Sequence, residues 1–319
     1  MKTMKYVLFA TMLVFACCDK DDDSINTIPV VSTTEVTEIT TTTALSGGNI
    51  TDDRGATVTV RGVCWSTGQN PTISDSKSEG GTGAGSFTSS ISGLEPNSTY
   101  YVKAYATNSA GTGYGSAMSF TTQEGFTDAR DGNVYQTVTI GNQVWMAENL
   151  KYLPSVIGPA SGSATTPYYY VYQYGGTNVA DAKATANYST YGVLYNWSAA
   201  TNACPAGWHL PSDAEWRQLS DYLGGHSVSA GKLKETGTTH WLSPNTGATN
   251  ETGFTALPGG FRYSNGVFEY VGNNGFWWTA TESDALSMHG IDISYEGSNM
   301  RPRPRYSKQI GFSVRCLRD

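Results

Sequence analysis

The sequence predicts an all-β sandwich followed by an α+β, loop-rich domain. Three observations carry this. Charged residues make up only 15% of the 319 positions, against 36 Gly and 20 Tyr, a profile of strands and turns rather than helices. Residues 28–122 alternate Thr/Val/Ile-rich runs with Gly, Asn and Asp turns at sandwich-like intervals. From residue 126 on, seven of the eight tryptophans gather around one well-marked helix and several strands.

The N-terminus sets the compartment. Lys2 and Lys5 precede an apolar stretch from Tyr6 to Ala16, the pattern of a secretory signal. The stretch is too short to cross a bilayer, which takes about 20 apolar residues. It ends at Val14-Phe15-Ala16-Cys17-Cys18, which resembles a lipobox: an aliphatic residue three before the cysteine and a small one just before it. The resemblance implies acylation of Cys17, with Cys18 as the alternative, so that residues 1–17 are signal peptide and lipobox. Residues 18–27 then form an acidic tether around Asp19-Lys20-Asp21-Asp22-Asp23. That run resembles the export signal of Bacteroidetes surface lipoproteins. The implied location is the outer membrane, lipid-anchored and facing the cell exterior, with the membrane as a partner through the anchor.

A net charge of −7 argues against a nucleic-acid partner, which wants a basic face. Setting Cys17 and Cys18 aside, Cys64, Cys204 and Cys316 remain. An exported protein meets oxidising conditions. Cys204 and Cys316 both lie in the C-terminal half and are paired here; closing such a loop contributes roughly 4–5 kcal/mol in the chain-entropy model. Cys64, in an apolar strand beside Trp65, reads as a buried free thiol. No Cys/His spacing matches a zinc site, so no metal is expected.

Within 28–122, Val58 to Trp65 is one strand and Tyr100 to Thr107 the clearest one. Tyr100, Val102, Ala104 and Ala106 share one face; Tyr101, Lys103, Tyr105 and Thr107 share the other. Glu79 to Gly85 reads as a mobile hairpin loop. Leu94-Glu95-Pro96-Asn97-Ser98-Thr99-Tyr100, followed by Asn108-x-x-Gly111, resembles the fibronectin type III signature. The resemblance makes Tyr100 the corner tyrosine, its hydroxyl bonding upstream backbone. Such a sandwich says little about function; here it reads as a rigid spacer. Gln123-Glu124-Gly125 reads as a linker.

The second domain, 126–319, opens with two strands, Val134 to Ile140 and Gln143 to Met146, around a Gly141-Asn142 turn. Ser212 and Glu215 stand at capping-box spacing, with Trp216, Leu219, Tyr222 and Leu223 following at helical intervals and Gly224-Gly225 as the stop. A shorter helix is expected over Val193 to Ala200, with Leu194 and Trp197 on one face. Strands are expected at Gly275 to Thr281, Gly290 to Ser294 and Gly311 to Leu317. Arg301-Pro302-Arg303-Pro304-Arg305 reads as a solvated basic loop. Tyr168, Tyr170 and Tyr172 share a face that is either an exposed ladder or a covered sheet surface.

Six ordered blocks carry a further resemblance. They are Thr139 to Leu150, Tyr191 to Ala200, Cys204-Pro205-Ala206-Gly207-Trp208-His209-Leu210-Pro211, Phe254 to Arg262, Trp277 to Glu282, and Gly311 to Cys316. Together they resemble the major paralogous domain first named for Fibrobacter succinogenes, and more faintly the C-type lectin-like fold. The latter also opens on Cys-Pro-x-Gly-Trp and closes with a cysteine on its last strand, which suits the Cys204–Cys316 pair. Calcium is the cofactor that fold implies, but its sugar-site motifs are absent: only Ser243-Pro244-Asn245 stands here, with no Trp-Asn-Asp. No cofactor is therefore expected. The copper chemistry of the related formylglycine-generating enzymes needs a free cysteine pair, and none remains.

Enzyme chemistry is not expected. His209, His226, His240 and His289 are scattered without ligand spacing; Asp213 and Glu215 suit a helix start; no nucleophile elbow or phosphate loop is present. The expected function is non-catalytic adhesion or binding, to a glycan or polysaccharide, through the second domain. Trp241, Asn245, Trp277 and Trp278 are the candidate ligand residues, since indole rings stack on sugar faces and amides bond hydroxyls. Trp277 and Trp278 are adjacent on a strand and point to opposite faces, one into the core and one outward. The alternative is a structural surface or fimbria-associated component, and an enzyme stands third. Burial of Trp241 and of both Trp277 and Trp278 favours the structural alternative.

Overall fold

In the computed structural model, residues 27–285 and 287–319 are described. The signal segment, Cys17, Cys18 and the acidic run lie outside them. The first unit is a sandwich of two antiparallel sheets. One holds Val30–Thr33, Thr43–Asp52 and Gly85–Ser92. The other runs Ser76–Lys77, Val60–Ser66, Thr99–Asn108 and Gly111–Tyr114, with Met118–Thr121 also paired to Thr99–Asn108. This is a fibronectin type III-like sandwich.

Period-two alternation builds its core. Tyr100, Val102, Ala104 and Ala106 point inward and meet Ile50, Phe87 and Ile91 of the facing sheet. The corner tyrosine behaves as expected: the Glu95 N–H donates to the Tyr100 hydroxyl at 3.0 Å. Cys64 is a buried free thiol, and burial pushes its pKa up to about 11. The glycine-rich segment from Glu79 is pinned by Arg61, whose guanidinium donates to the carbonyls of Gly80, Gly83 and Ala84.

The second unit contains two five-stranded sheets. The first runs Trp208–His209, Leu317–Arg318, Gln143–Met146, Val134–Ile140 and Gly125–Thr127. Its hairpin turns at Gly141, where φ is +63°, a value glycine adopts without strain. The second runs Phe268–Val271, Gly259–Arg262, Asn274–Asp284, Ser287–Ser294 and Met300–Ser307. The helix Asp213–Tyr222 carries the expected capping box: Ser212 and Glu215 satisfy each other's backbone N–H. Trp216 and Leu219 enter the core, whereas Tyr222 is exposed.

Three expectations need correction. The helix over Val193 to Ala200 shrinks to Trp197–Ala200, because Leu194–Tyr195 pairs with Tyr169–Tyr170 and Asn196 caps the turn. The run Gly311 to Leu317 is no continuous strand. Its residues make single bridges to Arg262, Tyr195 and Trp277, so it threads between sheets before pairing at Leu317–Arg318. Arg301 to Arg305 is not a loop but part of the edge strand Met300–Ser307. An edge tolerates the missing N–H groups of Pro302 and Pro304.

Cys204 and Cys316 form a disulfide with Cα atoms 5.9 Å apart, as paired from the sequence. It ties the loop after helix Trp197–Ala200 to the residue just before the strand Leu317–Arg318.

Candidate functional site

The side chains chosen from the sequence as ligand contacts do not reach solvent. Trp241, Trp277 and Trp278 are 1%, 0% and 0% exposed, and Asn245 is 5% exposed. Each indole N–H is bonded within the fold: Trp241 to the Ala256 carbonyl at 3.0 Å, Trp277 to Asn149 Oδ1 at 2.8 Å, Trp278 to the Tyr195 carbonyl at 2.7 Å. Asn245 donates to the carbonyls of Glu235 and Gly237. The reason lies in the layers. Alternation leaves one ring exposed only when one sheet face is wet. Here the strand Asn274–Asp284 is central and has a core on each face. Trp277 packs with Trp216, Ile291 and Ile293; Trp278 packs with Tyr195, Phe276 and Phe312.

The tyrosine ladder resolves the same way. Tyr170 and Tyr172 are buried and Tyr168 half-buried, with the Arg262 guanidinium 4.5 Å from the Tyr170 ring centroid. His209 sits between two carboxylates, Nδ1 2.7 Å from Asp319 Oδ1 and Nε2 2.9 Å from Glu215 Oε1. Burial opposes charge on the ring, yet those hydrogen bonds raise its pKa above the ordinary imidazole value. The same Glu215 closes the capping box, so this group clasps the C-terminal residue to a helix start. Among the described residues, no cluster of three or more His, Cys, Asp or Glu could hold a metal ion.

The open feature lies on one face of the second sheet of this unit. Strand pairing sets Phe276 opposite Asp292 and Asp292 opposite Arg301, and Phe261 lies beside Phe276 with centroids 4.7 Å apart. Apolar rings and charged groups therefore share one face, while Trp277, Ile291, Ile293 and Met300 fill the other beneath the helix Asp213–Tyr222. The result is a cleft of about 650 Å³. Phe261, Phe276 and Ile310 form its buried apolar floor; Tyr263, Tyr270, Tyr295 and Tyr306 stand around it, each partly exposed. Asn273, Asn274, Glu296 and the arginines of strand Met300–Ser307 supply polar groups.

Two of its residues hold unusual backbone. Tyr270 has φ +67° and Arg305 φ +74°, the left-handed region that disfavours side chains. Such conformations cost on the order of 1–2 kcal/mol and persist where surrounding structure imposes them. Tyr270 is 43% exposed and lies almost parallel to Phe261, with 10° between ring planes and 5.6 Å between centroids. Asp292 is buried and fixes two arginines, with Oδ2 2.6 Å from Arg301 Nη2 and Oδ1 2.7 Å from Arg303 Nε.

The sequence carried two signals for this cleft that pattern reading passed over. Gly290-Ile291-Asp292-Ile293-Ser294 alternates apolar and polar residues, which marks two differently filled faces. Arg301-Pro302-Arg303-Pro304-Arg305 has the same period of two. Phe261 and Tyr270 come from other strands and are joined to these only by sheet order.

Comparison with known proteins bears on the second unit first. The family model described as the Fibrobacter succinogenes major domain matches residues 138–318. The unit itself begins earlier: Gly125–Thr127 pairs with Val134 to Gln136, and Phe126 stacks on Trp208 at 4.5 Å. No curated protein matches the chain. Among solved structures, the sensor domain of the anti-sigma factor RsgI4 from Pseudobacteroides cellulosolvens is 19% identical, with a TM-score of 0.24, over 30% of this chain and 95% of its own. A fibronectin type III domain from human KIAA0970 is 14% identical, with a TM-score of 0.24, over 33% and 83%. The sixth such domain of human fibronectin type III domain containing protein 3 is 23% identical, with a TM-score of 0.22, over 31% and 83%.

Proposed function

This chain belongs to the Fibrobacter succinogenes major domain family, and from that premise we propose that it is a lipid-anchored surface protein whose second domain binds a saccharide without catalysis. The sandwich is its spacer. One observation carries the binding reading: the open cleft with Tyr270 at its rim, held flat on Phe261 by a left-handed backbone. Pyranose rings offer apolar C–H faces that stack on a phenol ring, while amides and guanidinium groups bond the hydroxyls. A tyrosine presents that area at low entropy cost because it has few rotatable bonds. The volume falls in the range of ordinary ligand sites. No cofactor is assigned to the cleft.

Titration of the full chain, purified in detergent, against a glycan array with chelator present is the test. Tyr270→Ala is expected to weaken the leading interaction at least about tenfold, the scale of an aromatic anchor, with the circular dichroism spectrum unchanged. The burial of Trp241, Trp277 and Trp278 favours the second reading, a structural surface or fimbria-associated component. Binding to no glycan leaves that reading standing and ends the first.

The anchor rests on Val14-Phe15-Ala16-Cys17 and the acidic run behind it. Cells fed an alkyne-tagged fatty acid should label the wild-type protein and not Cys17→Ser, and proteinase K should cleave it on intact cells. Label retained in Cys17→Ser but lost in Cys18→Ser moves the acylation one residue on. Full protease protection removes the outward-facing assignment.

A further inference from the structure

We propose that the cleft selects saccharides bearing a carboxylate, that is, uronic-acid units, through Arg303 and Arg305; this rests on the cleft being the binding site. The cleft carries unspent positive charge. Three guanidinium groups, of Arg301, Arg303 and Arg305, line the cleft against two carboxylates, of Asp292 and Glu296, a net positive site in a chain of net charge −7.

The three arginines are not equivalent. Arg301 is the most enclosed, its Nη2 on Asp292 and its Nε buried. Arg303 uses only Nε on Asp292, and its two Nη groups make no hydrogen bond among the described residues. Arg305 makes no side-chain hydrogen bond or ion pair with any described residue, and it is exposed. It lies where the pairing register with Ser287–Ser294 shifts, in a left-handed conformation, and it lines the cleft. The site therefore presents donors without acceptors: the free Nη edge of Arg303 and the whole fork of Arg305. A guanidinium edge matches the two oxygens of a carboxylate in a bidentate pair, a geometry no neutral hydroxyl reproduces. The rings of Tyr263 and Tyr270 stand in the same cleft to take the sugar face. Asp292 acts as a positioning residue: it touches no ligand in this arrangement but fixes the direction of Arg303.

The test uses matched pairs, namely oligomers of galacturonate, glucuronate and mannuronate, each beside its carboxyl-reduced neutral counterpart, titrated with chelator at low and moderate salt. The acidic member of at least one pair should bind about tenfold or more tightly than its neutral partner, the scale of one charge-assisted hydrogen bond. The preference should shrink as salt rises. Arg303→Gln and Arg305→Gln should each erase most of it, and Arg305→Gln, which breaks no contact within the fold, should leave the melting temperature unchanged. Equal binding of acidic and neutral members, lost in Tyr270→Ala, overturns the carboxylate selection and leaves the cleft as the site. An acidic preference that survives both arginine changes also overturns it, since the charge would then be read elsewhere. Silence of every pair and of the neutral array overturns the cleft reading itself.

Discussion

Replacing both Cys204 and Cys316 with serine is expected to lower folding stability by roughly 4–5 kcal/mol, the largest single effect anticipated in this chain. The bridge closes a loop with a sequence separation of 112 residues, and in the chain-entropy model the cost of that closure grows with the logarithm of the loop. The loop holds all five strands of the second sheet, so every contact within it benefits from the constraint on the unfolded chain. Non-covalent contacts duplicate the tie: Trp208–His209 pairs with Leu317–Arg318, and His209 Nδ1 lies 2.7 Å from Asp319 Oδ1. They are far weaker than a covalent bond. Urea titration of the double variant should show a lower midpoint together with a steeper slope, because the unbridged denatured chain exposes more surface. A loss below about 1 kcal/mol would mean that the bridge is locked in place by packing that forms without it.

What was legible in the sequence was local. The Gly141-Asn142 hairpin, the Ser212/Glu215 capping box and the Tyr100 corner each depend on residues within a few positions of one another, and each stands as read. The disulfide was legible for a different reason: few cysteines remained to pair. Burial on both faces of a strand was not legible. Trp277 and Trp278 alternate as a strand must, but whether the second face is wet depends on Phe312 and Tyr195, which arrive from elsewhere in the chain. The short helix failed because Leu194 and Trp197, spaced for a helix, met a pairing partner in Tyr169–Tyr170. The cleft was hidden by the two prolines of its edge strand, Pro302 and Pro304. They argue against a strand in general but not against an edge strand, and edge position is a property of sheet order alone.

Lys234→Met is expected to cost about 3–5 kcal/mol, although it removes a charge from the interior and keeps the shape of the stem. The second domain buries three cations, Lys234, Arg262 and Arg315, none of which has a carboxylate within ion-pair distance among the described residues. Backbone carbonyls take that place. Arg262 donates to Pro159, Ser161 and Gln309, and Arg315 to Phe254 and Thr255. The Lys234 ammonium donates to the carbonyls of Thr246, Ser294 and Gly297 at 3.0, 3.1 and 3.0 Å, with the Trp241 ring 5.5 Å away. A loop-rich domain has many carbonyls that no ladder satisfies, and one ammonium satisfies three at once. Methionine fills the channel but leaves those acceptors buried and unpaired, at about 1–3 kcal/mol each less whatever water recovers. The pH dependence separates the two opposing terms. Burial pulls the Lys234 pKa down to about 8, below the value of about 10.4 for an unperturbed lysine. Between those limits the unfolded chain holds the proton more tightly than the folded one, so stability rises with pH through that window. The gap between wild type and Lys234→Met, followed by urea titration from pH 7 to 10, should therefore widen. A gap that stays constant would show that three carbonyls repay the full cost of desolvating the charge, leaving Lys234 protonated throughout.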